Sequence, residues 1–334
     1  MFNDPAIWLP LVFAGLMGLS ILIYVVLDGF DLGVGLLFPL GDEEERDVMM
    51  NSIGPFWDAN ETWLVLAIGL LLVAFPVAHG TILTALYLPV ALMLFGLILR
   101  GVAFEFRHKA PPGQKWHWGM AFFGGSLLAA VSQGYMLGLY IMGLVVTPAT
   151  LGFALVTGVF LAVGYSFIGA TWLILKTDGA LQRRAVGWAR GGIWGVVLGL
   201  GAVSLATPLV SPRIFERWFS MPAMLYLLPL PVVSAALIVF LWRALRRLPR
   251  ENDRRAWVPF ATTISLFTLG FAGMAYSFYP YVVPERLTVF QAASAPESLM
   301  IILVGAIVVL PMIVGYTVLS YAVFRGKARE MDYG

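Results

Sequence analysis

The chain has 334 residues, of which 60% are hydrophobic and 12% charged, with a formal net charge of +2 and no cysteine. A soluble globule cannot hide that much apolar surface, so lipid is the solvent, in keeping with a mean hydropathy of +0.86. The missing cysteines exclude disulfides, thiolate metal sites and haem attachment through Cys-x-x-Cys-His, and nothing points to a nucleic-acid partner.

Apolar runs bounded by charges, Pro or Gly predict about nine spans, near residues 8–27, 62–78, 82–103, 119–140, 151–175, 191–210, 221–242, 257–276 and 299–323. Each run far exceeds a barrel strand, and unpaired backbone groups are costly in hydrocarbon, so the fold class is an all-α integral membrane protein. Nothing resembles a soluble domain or a long linker, so residues 1–334 form one transmembrane domain. A faint echo of Leu27-Asp28-Gly29 in Thr177-Asp178-Gly179 raises the division into four-helix halves, 8–140 and 151–276, plus a final helix at 299–323.

No Lys or Arg precedes the first run, which reads as a retained span rather than a cleaved signal. It closes on Leu27-Asp28-Gly29-Phe30-Asp31-Leu32-Gly33. Asp28 and Asp31, spaced i, i+3, would share a face of a continuing helix and repel each other's charge if buried; a packed helix terminus explains them equally. The second run opens on Gly54-Pro55-Phe56-Trp57-Asp58-Ala59-Asn60-Glu61-Thr62-Trp63, two acids and an amide between tryptophans. Asp58 is placed to cap this helix, with Glu61 completing a capping-box-like pair, while proton handling by Asp58 stays open beside that reading. Trp57 and Trp63 suit an interfacial belt.

The third run carries Arg100 near its end, before Phe104-Glu105-Phe106-Arg107-His108-Lys109. Such strings are commonly membrane-edge anchors, although an Arg inside the boundary calls for an acidic partner. His79 is expected in a short outer loop, and His108 and His117 in a basic cytoplasmic loop, so none suits an axial haem ligand in mid-span. Gly191, Gly195 and Gly199 fit helix packing, and Tyr279-Pro280-Tyr281-Val282-Val283-Pro284 reads as a proline-bounded turn.

Of the 21 Lys and Arg, all but Arg213, Arg217 and Arg286 follow odd-numbered spans. The positive-inside rule then places the amino terminus outside and the carboxyl terminus in the cytoplasm. Asp28, Asp31, Asp58, Glu61, Arg100 and Glu105 thereby gather at the cytoplasmic face, either as a solvated interface or as a group that passes protons inward.

The strings 28–35, 51–63 and 100–107, with Ser132-Gln133-Gly134 and the 279–284 turn, resemble subunit II of cytochrome bd-type quinol oxidases, including the cyanide-insensitive variant. The resemblance runs from the first span to the last. It implies two four-helix halves plus one helix, and a bacterial inner-membrane complex that oxidises quinol, reduces oxygen to water and draws the protons from the cytoplasm. The b-type and d-type haems and the quinol site belong to a partner, subunit I, so no cofactor is expected in this chain. Small accessory subunits, and a structural quinone or lipid in a groove, are further family expectations. By resemblance, Asp58 matches an acid on the proton route, Glu105 and Lys109 sit at positions linked to proton uptake, Arg100 and Trp57 support them, and Asp28 belongs to the signature turn. The family often has Gly where this chain has Ala59, and some members have Asp in place of Glu105. A proton-coupled secondary transporter using the same acids, and a pure scaffold, are the competing readings.

Overall fold

The computed structural model describes residues 4–249 and 253–328; Arg250 and Arg329, counted in the orientation argument, lie outside the described residues. Among the described residues, nine helices are long and apolar enough to cross a membrane. In chain order the helices are α1 (Pro5–Leu37), α2 (Glu43–Ile53), α3 (Trp57–Ala74), α4 (Pro76–Lys109), α5 (Pro112–Ile141), α6 (Pro148–Lys176), α7 (Gly179–Val210), α8 (Pro212–Phe219), α9 (Ala223–Leu227), α10 (Pro229–Arg246), α11 (Trp257–Phe278), α12 (Val289–Ala292) and α13 (Pro296–Val323). The seventh span is α9 continued by α10. The turn expected after α11 is a small antiparallel hairpin of β1 (Tyr281–Val283) and β2 (Leu287–Thr288).

Proline sets many of the starts. Pro5, Pro76, Pro112, Pro148 and Pro296 each occupy the first position of a span, where the missing N–H is no loss. Three boundaries differ from expectation. First, α1 does not stop at Leu27 but runs to Leu37, so Asp28 and Asp31 lie inside a helix. Second, α3 and α4 are separated only by Phe75, which puts His79 in the first turn of α4 rather than in a loop, and His108 and His117 also lie in helices. Third, the acid-rich stretch after α1 folds into α2, started by a capping box in which Asp42 accepts from Glu45 N at 2.9 Å and Glu45 accepts from Asp42 N at 3.1 Å. The cap expected at Asp58 is absent: Phe56 holds that position without a side-chain bond, and Asp58 follows inside the helix.

α1 is the central helix, packed against α3, α5 and α6. Two glycine crossings bring backbones into contact. A Cβ on Gly33 would stand 1.8 Å from the Tyr165 carbonyl oxygen, and one on Gly125 would stand 2.6 Å from the Gly96 carbonyl. On α7, Gly195 and Gly199 pack against Val163 and Phe160 of α6, whereas Gly191 has nothing within 4 Å and takes no part in the expected stripe. The echoing strings have no common local structure, since Asp28 is buried in mid-helix and Asp178 is the exposed N-cap residue of α7.

Aromatic stacking fills the core beside α1, with Phe30 on Trp172 at 4.1 Å and Phe56 on Tyr321 at 4.4 Å between ring centroids. α13 is largely exposed, and only Leu299 of its described residues is fully buried. Its C-terminal end is tied down instead: Lys176 Nζ donates to the carbonyls of Phe324 at 2.5 Å and Gly326 at 2.7 Å, and Lys327 pairs with Asp253 and donates to the Thr177 carbonyl.

Candidate functional site

The close approach of α4 and α5 at Gly96 and Gly125 presses the Arg100 backbone against α5, where a Cβ on Gly125 would meet Arg100 N at 2.7 Å. Arg100 is 1% exposed, and its guanidinium is shared by two acids. Nη1 donates to Asp28 Oδ1 at 2.7 Å, and Nη2 donates to Glu61 Oε1. α1, α3 and α4 each supply one member of this group. Burying an unpaired guanidinium or carboxylate at this depth costs several kcal/mol, so the pairing is the condition for these residues to be there.

Asp31, one turn after Asp28, is fully buried and makes no ion pair with a described residue. It is held by an amide. Asn60 Nδ2 donates to Asp31 Oδ2 at 2.7 Å and to the Leu27 carbonyl at 3.4 Å, while Tyr321 of α13 donates to Asn60 Oδ1 at 3.1 Å. A second chain lies on the other side of Asp28: Tyr165 donates to Gln133 Oε1 at 2.8 Å, and Gln133 Nε2 donates at 2.7 Å to Tyr24, one turn before Asp28. Asp28 Oδ2, Asp31 Oδ1 and Arg100 Nε have no hydrogen-bond partner among the described residues.

The candidate residues divide sharply. Asp28 and Arg100 come together as the buried pair. Asp58, Glu105 and Lys109 are exposed, without an ion pair to a described residue. Asp58 lies three residues before Glu61 on α3, on one helix face, and the Glu61 side chain is 27% exposed. Glu61 pairs with Arg100 and is not part of the cap expected of it. Trp57 packs on Phe104 at 5.3 Å and covers the bare backbone of Gly101.

Sequence reasoning missed the roles of Asn60, Tyr321, Tyr24, Gln133 and Tyr165. The requirement that Arg100 find an acid was a signal for the pair; no sequence signal pointed to Tyr321, which arrives from the far end of the chain.

A second charged cluster lies beside the first. Arg107, expected to be a membrane-edge anchor, is buried and pairs with Asp47 and with Glu43 at 3.1 Å, while Lys115 pairs with Asp47 at 3.0 Å. Burial pushes the Asp47 carboxyl upward, but the hydrogen bonds and charges of Arg107 and Lys115 outweigh it, and the pKa is lowered overall. This cluster clamps α2 onto α4 and α5. Arg184 of α7 extends the clamp to Glu45.

His79 is half-buried at a helix start, and His108 and His117 are exposed. None reaches the interior, so the histidines do not fit the axial position of a haem held within this chain. Among the described residues no three His, Asp or Glu side chains gather to hold a metal ion.

Residues 9–324 match the family described as cytochrome bd terminal oxidase subunit II. The chain is 30% identical over 329 residues to cytochrome bd ubiquinol oxidase subunit 2 of Bacillus subtilis, covering 92% of this chain and 94% of that protein. It is 28% identical over 374 residues to cytochrome bd-I ubiquinol oxidase subunit 2 of Escherichia coli K12, covering 95% and 94%. A chain of the solved bd oxidase from Geobacillus thermodenitrificans superposes with a TM-score of 0.78 at 17% identity, covering 95% of this chain and 99% of that one. On a match that spans nearly every helix described above, this chain belongs to the cytochrome bd terminal oxidase subunit II family.

Proposed function

We propose that this chain is the haem-free partner in a quinol:oxygen oxidoreductase of the bacterial inner membrane, supplying a scaffold and a route for protons from the cytoplasm to oxygen chemistry in subunit I. One observation carries the reading: a graded series of acids leads from exposed Asp58 through half-buried Glu61 to the buried Arg100–Asp28 pair. Three carboxyl groups around one guanidinium leave the cluster short of positive charge, and protons supply it.

The basic loops support an outside amino terminus and a cytoplasmic carboxyl terminus, which sets Asp58 and Glu105 on the side where protons are taken up. Both acids are exposed on spans, beside Val65, Ile98 and Phe106, where bare lipid would be a poor neighbour. The haem-bearing subunit covers this face in our reading, and Glu105 and Lys109 guide protons at its edge. Small accessory subunits and the two four-helix halves remain family expectations of the same reading. Haems in the partner suit histidines that stay at helix ends. A groove of about 320 Å³ between α1 and α13, lined by Val12, Leu16, Leu303, Ile307 and Pro311, is wholly apolar and suits a lipid or quinone tail.

The test is Asp58→Asn in the purified complex. The expected result is normal haem content with oxygen consumption per haem strongly reduced; wild-type turnover would leave the acids a structural role only.

A further inference from the structure

Asp31 differs from its neighbours in a way the proton route does not use. The two terminal nitrogens of Arg100 bond Asp28 and Glu61, and among the described residues Asp31 is the one acid of the three with no cation at bonding distance. An isolated carboxylate in such a place is expensive, while a neutral carboxylic acid is affordable if its O–H finds an acceptor. Its single side-chain partner is an amide, and an amide offers a donor or an acceptor according to which way it faces.

We propose that Asp31 is the proton-storing group of the buried cluster, and that Asn60 with Tyr321 forms a two-position amide switch that keeps it hydrogen-bonded with or without its proton.

In the charged state Asn60 Nδ2 donates to Asp31 Oδ2 at 2.7 Å, and the Tyr321 hydroxyl donates to Asn60 Oδ1 at 3.1 Å. When one proton arrives on Oδ2, the new O–H needs an acceptor, and the Nδ2–H group it faces becomes a clash. A half-turn of the Asn60 amide resolves both: Oδ1 accepts from the Asp31 O–H, and Nδ2 donates to the Tyr321 oxygen, whose own proton turns away. Oδ1 and Nδ2 exchange places, and no other heavy atom need move. The Leu27 carbonyl, which receives a long 3.4 Å contact from Nδ2, lies within α1, where it also accepts a helix bond and is not orphaned by the turn. An amide does not relay protons readily, so the switch closes this side of the cluster and leaves the side of Glu61, whose carboxyl can carry a proton, as the way in and out.

The groups acting on Asp31 from its surroundings are Asp28 on its own helix, Glu61 of α3, Arg100 of α4 and Tyr321 of α13; Tyr24 and Tyr165 act on Asp28. Among them, only Tyr321 contacts the amide that holds Asp31. Because Tyr321 also stacks on Phe56 at 4.4 Å between centroids, Tyr321→Phe keeps the ring and removes only the hydroxyl.

This inference rests on the proton-route reading, and the experiment separates the two. Infrared difference spectra of the assembled complex, recorded between oxidised and reduced states, read the carbonyl stretch of protonated carboxylic acids. The expected result is a band that disappears in Asp31→Asn and moves in frequency in Tyr321→Phe, with the pH profile of oxygen consumption displaced in Tyr321→Phe at unchanged haem content. If Asp31→Asn does not assemble, Asp31→Glu in protein carrying isotope-labelled aspartate makes the assignment, because the band then loses its label shift. A complex with no such band, or a band at the same frequency in Tyr321→Phe, overturns the switch. Should the band move in Tyr321→Phe while Asp58→Asn turns over at the wild-type rate, the uptake route through Asp58 fails and the storage site stands. If Asp58→Asn is slow and the band does not move, the route stands and the switch fails.

Discussion

Arg100 Nη1 and Asp28 Oδ1 meet at 2.7 Å although 72 positions separate them in the chain, and both side chains are shut off from solvent. Removing one partner strands the other. Arg100→Leu is expected to destabilise the complex by about 3–5 kcal/mol, and the double replacement Arg100→Leu with Asp28→Leu to recover much of that loss. Thermal unfolding of the purified complex, followed through haem absorbance, measures both. A double variant no more stable than the single one would show that the pair is not the seat of the effect.

Glu61 distinguishes a capping residue from a proton-handling one. As the half-buried step between Asp58 and Arg100, Glu61→Gln is expected to reduce oxygen consumption per haem by about 10²-fold, with the complex still assembled. An unaltered rate with a lower melting temperature would return Glu61 to a structural role.

The pH dependence of stability follows from Asp47, whose carboxyl is held below its ordinary value by Arg107 and Lys115 despite partial burial. A group with a depressed folded pKa binds its proton more readily in the unfolded chain. Its contribution is therefore present above the unfolded value of about 3.9 and is lost as pH falls through the folded value. Wild type is expected to melt above Asp47→Asn at neutral pH, with the difference shrinking under acid conditions below about pH 4. A difference that persists unchanged into acid would count against the ion pairs as its source.

Glycine positions give a paired test of packing. Gly33→Ala forces a methyl into the Tyr165 backbone and is expected to cost at least about 1–3 kcal/mol, since a backbone carbonyl cannot move aside as a side-chain tip can. Gly191→Ala meets nothing within 4 Å and gains helix propensity, so it should be neutral or slightly stabilising. The order of the two melting temperatures decides the matter.

Helix number and type were legible because an apolar run of membrane length has few alternatives in lipid. Boundaries were less legible at α1, where Asp28 and Asp31 read as the end of a span; an arginine paired with Asp28 and an amide bonded to Asp31, both from other helices, hold the two acids inside one, and neither is a local property. Asp58 read as a cap because acid at that spacing before an apolar run usually is one, yet Phe56 begins the helix and Glu61 is drawn to Arg100 instead. Arg107 read as an anchor because its acids belong to α2, a helix absent from the expectation. Asn60 and Tyr321 were beyond reach: a neutral amide and a tyrosine on a polar-poor span carry no pattern, and their meaning appears only when α13 docks against α3.

That docking has a consequence for biogenesis. α13 has almost no interior of its own, and it is fastened by Lys176 at its end and by Tyr321 near it. It also emerges from the ribosome after the eight other spans described above. Until it arrives, the amide beside Asp31 lacks its hydroxyl partner, so the polar heart of the molecule is finished only once α13 has been made and docked. A subunit halted before α13 keeps the eight earlier spans among the described residues but carries an incomplete acid site, and that gives quality control a difference to read.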